Sequence, residues 1–140
     1  MRVAIIGAGI GGLTAAIALR RFGIETIVIE QVANICEVGA GLSLWSNAVN
    51  ALRELGLETT VTASGSVVER NLTQTRAGHL IVQNEFGAVT RIAGAPCICI
   101  NRAVLQKILL DSLPRASILT GARCVGFGVS GHGAGTVTRE

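Results

Sequence analysis

The residues of this chain with the clearest chemical potential are the glycines near its start. They follow the pattern G-x-G-x-x-G in the run Gly7-Ala8-Gly9-Ile10-Gly11-Gly12. Between a strand and a helix, the first glycine allows a tight turn, the second lets the backbone approach a pyrophosphate, and the third lets the helix pack closely on the strand. The helix N-terminus favours the bound anion through its unpaired N–H groups and its dipole. Alone the pattern is weak, so its meaning depends on the elements around it.

The flanking sequence predicts the elements that such a turn needs. A short apolar run over 2–6, bounded by glycine, predicts a buried strand. Good helix formers over 11–22 follow, with basic residues in the last turn and Gly23 just past it, which is typical of a helix end. Residues 26–30 predict a second strand. The chain is therefore expected to begin with a strand–turn–helix–strand unit whose strands are parallel.

An acidic residue completes this unit. Glu30 ends the predicted second strand, eighteen residues after Gly12. A carboxylate at this position accepts hydrogen bonds from a ribose hydroxyl of an adenine dinucleotide, and it would repel the 2′-phosphate of NADP. The alternative is a glycine-rich turn without a ligand and a solvent-exposed glutamate. The agreement of strand, turn, helix, strand and acid favours dinucleotide binding, but these residues do not distinguish FAD from NAD.

The remainder of the chain continues the alternation of helices and strands. Together with the start, it predicts an α/β class, a Rossmann-like domain with a mixed sheet that covers 1–140. The expected elements are a flexible turn at 38–42, a helix at 47–55, strands at 67–73, 79–83 and 95–100, a helix at 102–113 capped by Asn101, a strand at 117–119, and a hairpin of 123–129 and 136–139.

Composition limits the classes of function. The chain has 140 residues, of which 49% are hydrophobic and 15% charged, as in one globular domain. Its basic residues are scattered and it has one Trp and no Tyr, so we expect no nucleic-acid partner. Residues 3–19 are mostly apolar, but the glycines interrupt them, so we expect neither a targeting segment nor membrane binding.

The cysteines predict neither a metal site nor a disulfide framework. There is no C-x-x-C pair, and the two histidines are distant in sequence. Alternation would put Cys97 and Cys99 on one face of a strand, and we interpret both as small buried residues. A reducing, cytoplasmic location is expected. The residues concerned are Cys36, Cys97, Cys99, Cys124, His79 and His132.

Two later segments resemble a known family. The segment Gly39-Ala-Gly-Leu-Ser-Leu-Trp-Ser-Asn-Ala-Val-Asn-Ala-Leu-Arg-Glu-Leu-Gly56 is similar to the second FAD segment of the group A flavin monooxygenases, the para-hydroxybenzoate hydroxylase-like family. It most resembles the urate hydroxylase and salicylate hydroxylase-like members. The segment Ile100-Asn-Arg-Ala-Val-Leu-Gln-Lys-Ile-Leu109 resembles the family helix that bears a cofactor-contacting arginine. Cys36 and Ser46 depart from the pattern, because many members have a basic residue and a proline there.

The resemblance implies FAD as cofactor and a cofactor-binding role for ten residues. The four glycines of the fingerprint would hold the pyrophosphate, and Glu30 would hold the adenosine ribose with Gln31 beside it. Other residues would approach the flavin end, the pyrophosphate and ribityl region, and the adenine; for three of them the alternative is a solvated arginine or a packing residue. The full set is Gly7, Gly9, Gly11, Gly12, Glu30, Gln31, Gly41 and Ser43 (flavin end), Arg102 (pyrophosphate and ribityl region) and Val125 (adenine).

The resemblance also implies a reaction. In the family, NAD(P)H reduces the flavin, and the reduced flavin and O2 hydroxylate an electron-rich, usually aromatic small molecule. Family members are more than twice as long and carry later Asp-Gly and Gly-Asp motifs, so the chain is expected to stop before the substrate-binding sheet. We therefore assign no catalytic residue and no oligomeric state.

Three hypotheses remain from the sequence. The first is the FAD-binding portion of a flavin-dependent monooxygenase. The second is a truncated, non-catalytic dinucleotide-binding remnant. The third is an NAD-dependent dehydrogenase, which would need a catalytic pair such as Tyr with Lys, and the chain contains no Tyr.

Overall fold

The computed structural model describes residues 1–35, 40–129 and 135–139. Two compact units are formed, a first unit of Met1–Val38 with Gln106–Glu140 and a second unit of Gly39–Leu105. In chain order the elements are β1 Arg2–Ile6, α1 Ile10–Arg21, β2 Glu25–Ile29, β3 Gly41–Leu44, α2 Ser46–Glu54, α3 Glu58–Ser64, β4 Ser66–Val67, β5 Arg70–Gln74, β6 Leu80–Glu85, α4 Gly87–Ala93, β7 Ile98–Asn101, α5 Arg102–Asp111, a 3₁₀ turn Arg115–Ser117, β8 Ile118–Leu119, β9 Cys124–Val129 and β10 Gly135–Arg139.

The first unit is built on a parallel sheet with the strand order β1-β2-β8. β1 and β2 are joined through α1, so the predicted strand–turn–helix–strand start is confirmed. α1 packs on β2, and the core of the unit includes Leu13 and Ala16 from α1, Val28 from β2 and Leu109 from α5, all of them fully buried. β9 and β10 form the predicted antiparallel hairpin. The expected linker between them falls largely on 130–134, outside the described residues.

The second unit contains two small antiparallel sheets. In one, β7 lies between β3 and β4, and in the other β5 pairs with β6 as a hairpin. Val49 of α2, Val61 of α3 and Ile98 of β7 are completely buried and form much of its core. The rings of Trp45 and Phe86 meet edge to face with their centroids 5.2 Å apart. The α/β class is confirmed, with the described strands divided among four small sheets.

Several short elements of the second unit were not predicted. β3 lies in a glycine-rich stretch whose sequence favours a flexible turn, and pairing with β7 makes it a strand. α3 has the sequence ETTVTAS, which is poor in strong helix formers, and burial of Val61 compensates. At the end of α4, Asn50 Nδ2 donates a hydrogen bond of 2.9 Å to the Ala93 carbonyl. These contacts are tertiary, so local sequence patterns do not reveal them.

The expectation that Cys97 and Cys99 share a buried face was wrong. Cys97 is buried, but it precedes β7 and its Sγ lies 3.6 Å from Ser46 Oγ. Within β7, Ile98 and Ile100 face the core, so Cys99 between them points to the opposite, exposed side. Both thiols are free, as is Cys124. Cys36 and His132 lie outside the described residues.

Candidate functional site

The glycine fingerprint forms the turn between β1 and α1. Gly7 follows the last residue of β1, and its N–H donates a hydrogen bond of 2.8 Å to the Ile29 carbonyl at the end of β2. Its φ of 98° lies in the left-handed region, where a side chain is strained. Gly9 is the N-cap of α1. The fingerprint therefore lies at the carboxyl edge of the parallel strands, where α/β sheets bind their ligands.

The space around the glycines fits a close ligand. A Cβ placed on Gly12 would overlap the Gly7 carbonyl oxygen and would lie 3.2 Å from the Gly7 carbonyl carbon, so helix and strand approach too closely for any side chain. At Gly9 and Gly11, by contrast, a Cβ would meet no atom of the described residues within 4 Å, apart from its neighbours along the chain. The loop is tight where it faces the strand and open where a phosphate would approach, as the dinucleotide fingerprint requires.

Two side chains fix the peptides that flank Ala8. The carboxylate oxygen Oε2 of Glu30 accepts a hydrogen bond of 2.7 Å from the Ala8 N–H. Gln106, on α5, donates a hydrogen bond of 2.8 Å from Nε2 to the Ala8 carbonyl. Ala8 is completely buried, and Gln106 is 5% exposed. Sequence reasoning assigned no role to Gln106. One sequence signal could have indicated its role: Gln106 lies next to Leu105 and three residues before Leu109, on the apolar face of a predicted helix. A buried amide needs a hydrogen-bond partner, so a glutamine at such a position is expected to bind another group.

Glu30 also binds its own loop. Its Oε1 accepts a hydrogen bond of 3.0 Å from the Val32 N–H. The hydrogen bond from the Ala8 N–H is the largest cause that lowers the pKa of the Glu30 carboxyl below its ordinary value, and the bond from the Val32 N–H is the next. Desolvation raises the pKa but does not outweigh them. The group is therefore ionised at neutral pH. Each carboxylate oxygen retains acceptor capacity for a further donor such as a ribose hydroxyl.

A cavity of about 210 Å³ opens beside Glu30 in the first unit. It lies at the carboxyl ends of β1 and β2, and Gln31 contributes to its wall. Val125 is on β9 and is exposed, directly after Cys124, which also lines the cavity. The lining residues are Ile6, Gly7, Ile29, Glu30, Gln31, Ala122, Arg123 and Cys124. The first unit thus brings together the fingerprint glycines, Glu30 and Gln31, and Val125 follows the lining residue Cys124 on β9.

The other three predicted residues belong to the second unit. Gly41 and Ser43 are on β3, where they pair in register with Asn101 and Cys99 of β7. Arg102 begins α5 directly after β7, and its backbone N–H donates a hydrogen bond of 3.0 Å to the Ala40 carbonyl. The start of β3 and the start of α5 are therefore adjacent. Asn101 caps α5 as predicted, because its Oδ1 accepts a hydrogen bond of 2.9 Å from the Ala103 N–H.

In residues 1–35, 40–129 and 135–139, no cluster of three or more His, Cys, Asp or Glu side chains is placed to hold a metal ion. Across that same part of the chain, no helix combines the length and the apolar character needed to cross a bilayer.

The fold and the glycine loop define a dinucleotide-binding α/β domain. The family model described as FAD binding domain matches residues 1–130, and the chain belongs to this family. This membership confirms the FAD-binding class predicted from the three motifs. The roles of the ten individual residues stay predictions.

The chain is also similar to a monooxygenase/isomerase, to a FAD-dependent hydroxylase and to a solved structure. It is 37% identical to the aurachin C monooxygenase/isomerase of Stigmatella aurantiaca over 91% of this chain and 33% of that protein. It is 38% identical to the FAD-dependent urate hydroxylase of Mycolicibacterium vanbaalenii over 90% of this chain and 32% of the relative. Klebsiella pneumoniae HpxO, crystallised in complex with FAD and uric acid, superposes with a TM-score of 0.84 and 29% identity over 98% of this chain and 37% of that chain. The chain spans about a third of the length of the curated relatives it matches.

Proposed function

We propose that residues 1–140 act as one FAD-binding domain of a flavin-dependent monooxygenase. In the full-length architecture of the relatives, that enzyme hydroxylates an aromatic or similar electron-rich small molecule with NAD(P)H and O2. The observation that carries the proposal is the loop from Gly7 to Gly12, closed against β1 at Gly12 and open at Gly9, with the ionised Glu30 beside it. Family membership over 1–130 supports FAD as the dinucleotide.

Each of the predicted residues has a task in this proposal. The N–H groups at the start of α1 would bind the pyrophosphate, since a helix N-terminus favours an anion. Glu30 would accept hydrogen bonds from the adenosine ribose in the cavity that Gln31 and Cys124 help to form. The backbone at Val125 would lie beside the adenine. In the second unit, Gly41 and Ser43 would contact the flavin end, and Arg102 would bind phosphate oxygens with its guanidinium.

The protein's contribution to the chemistry is to bind and orient. Bound FAD would supply the redox chemistry, taking electrons from NAD(P)H and using O2 to hydroxylate the substrate. A small aromatic or heterocyclic substrate is supported by the names of the relatives and by the uric acid bound in HpxO. A cytoplasmic location is supported by the free thiols of Cys97, Cys99 and Cys124.

A titration with FAD, followed by flavin fluorescence, tests the proposal. We expect saturable binding by the wild-type chain, and loss of binding in Gly9→Val, whose side chain would fill the open side of the loop, and in Glu30→Arg. The matched control is Glu69→Arg, which makes the same charge change at an exposed residue of the second unit and should leave binding unaltered. A folded wild-type chain that does not bind FAD, or a Glu30→Arg variant that binds it as tightly as wild type, would contradict the proposal.

A further inference from the structure

The peptide between Ala8 and Gly9 is held from a distant part of the sequence. Gln106 lies 98 residues away, and its Nε2 donates to the Ala8 carbonyl at 2.8 Å. We propose that Gln106 is a positioning residue for the phosphate-binding loop, which fixes the Ala8 carbonyl so that the N–H of Gly9 faces the bound pyrophosphate. The proposal rests on the FAD site proposed above and deepens it, because it adds a residue that would not itself touch the cofactor.

The direction of the Gly9 N–H follows from peptide geometry. The described backbone contains no cis peptide bond, and in a trans peptide the carbonyl of one residue and the N–H of the next point to opposite sides. Since Gln106 holds the Ala8 carbonyl on the buried side, the Gly9 N–H is directed away from α5. Gly9 is also the N-cap of α1, where N–H groups lack partners within the helix. This N–H is thus available to an anion.

A separate restraint is needed because the loop is rich in glycine. A peptide flip between Ala8 and Gly9 changes ψ of Ala8 and φ of Gly9, and glycine adopts positive and negative φ with similar ease. The residue that lets a phosphate come close therefore also makes the flip inexpensive. Glu30 cannot prevent it, because its carboxylate holds the Ala8 N–H, which belongs to the preceding peptide. The hydrogen bond from Gln106 is the contact that opposes the flip, since a flipped carbonyl would lose its buried donor.

The proposal distinguishes ligands with phosphate from ligands without it. Gln106→Met keeps the length of the side chain but removes the donor. We expect Gln106→Met to weaken binding of ADP and of FAD several-fold, up to about tenfold, because one lost hydrogen bond of ordinary strength shifts the flip equilibrium by at most that factor. Adenosine, which would use Glu30 but not the Gly9 N–H, should bind within about twofold of wild type. A merely structural role for Gln106 would weaken ADP and adenosine together.

The matched control is Gln83→Met, the same replacement at an exposed position of β6, which should change no affinity. Isothermal titration calorimetry measures ADP and FAD, and ligand-observed NMR measures adenosine. Equal ADP affinity in folded Gln106→Met and wild type, or equal losses for ADP and adenosine, would overturn the proposal while leaving FAD binding by the wild-type chain intact. If the wild-type chain binds neither FAD nor ADP, the proposed function fails as well.

A second measurement needs no variant. In the wild-type chain labelled with ¹⁵N, addition of inorganic pyrophosphate should shift the amide resonance of Gly9 downfield, whereas adenosine should leave it nearly unchanged. A Gly9 amide that does not respond to pyrophosphate, while amides in the first turn of α1 do, would show that the anion does not use this N–H and would overturn the proposal.

Discussion

Replacement of Glu30 by glutamine should lower the stability of the chain in a pH-dependent way. The carboxylate accepts one hydrogen bond from Ala8 at 2.7 Å and one from Val32 at 3.0 Å. A carboxamide of the same shape has one acceptor oxygen and one NH2 donor, so it can keep one of these bonds but must present its NH2 group to the other N–H. Glu30→Gln thus removes a charge-assisted hydrogen bond without removing packing.

The expected loss in free energy of unfolding at pH 7 is about 1 kcal/mol. A hydrogen bond to a charged group contributes about 1.5–3 kcal/mol when it is well shielded. Glu30 is only partly buried, so solvent screening reduces that figure, and one bond is retained in weaker, neutral form. For a chain of this size, about 1 kcal/mol corresponds to a decrease in Tm of roughly 4 °C.

The pH dependence follows from the lowered pKa of Glu30 in the folded state. A carboxyl whose pKa is lower when folded stabilises the protein above its unfolded-state pKa, and this stabilisation is lost as the pH falls through the folded-state pKa. The difference in Tm between wild type and Glu30→Gln should therefore be full at neutral pH and shrink in the acid range below the ordinary pKa of glutamate.

Thermal melts followed by circular dichroism between neutral and acid pH provide the assay. Glu69→Gln is the matched control, because it makes the same change at an exposed residue of the second unit, and its Tm should follow wild type at every pH. If Glu30→Gln has the same Tm as wild type at pH 7, or if its Tm is lower by the same amount at every pH, the Glu30 carboxylate is not the stabilising species.

Two further predictions concern the core of the first unit. Thr26 is 2% exposed, and its Oγ1 has no hydrogen-bond partner among the described residues. Thr26→Val removes this buried hydroxyl at nearly constant shape and should raise the free energy of unfolding, measured by urea denaturation, by about 1 kcal/mol. A lower free energy of unfolding in Thr26→Val would mean that the hydroxyl has a partner. Gly12→Ala places a Cβ on the Gly7 carbonyl oxygen and should lower the free energy of unfolding by more than about 2 kcal/mol. Gly11→Ala, in the same helix but with open space at its Cβ, should be neutral or stabilising by up to about 1 kcal/mol. Equal effects of the two substitutions in urea unfolding would contradict the close approach at Gly12.

The parts of the fold that could be predicted are those whose cause is local. The glycine spacing, the apolar run of β1 and the acid after β2 lie within 30 residues, and their roles in a strand–turn–helix–strand unit depend on backbone geometry alone. The cap of α5 by Asn101 is likewise a contact between near neighbours. By contrast, β3 is a strand because β7 pairs with it, and Cys99 is exposed because Ile98 and Ile100 take the core side of β7. Sequence periodicity near Cys99 does not show which alternate set is buried.

The difference between local and tertiary causes also explains why the sequence did not reveal the role of Gln106. The two peptides flanking Ala8 are each fixed by one side chain, but these side chains come from different distances along the chain: Glu30 is 22 residues away and Gln106 is 98 residues away. The fingerprint therefore lets a pyrophosphate approach closely, because its glycines have no side chains. It does not fix the orientation of the peptide between Ala8 and Gly9, because glycine also permits that peptide to flip. That orientation is fixed by α5, which is buried in the first unit at Leu109 and places Gln106 within hydrogen-bond distance of the Ala8 carbonyl. A glycine fingerprint is thus an incomplete description of the phosphate loop, and the fold around it, down to the face that α5 buries, is part of the binding site.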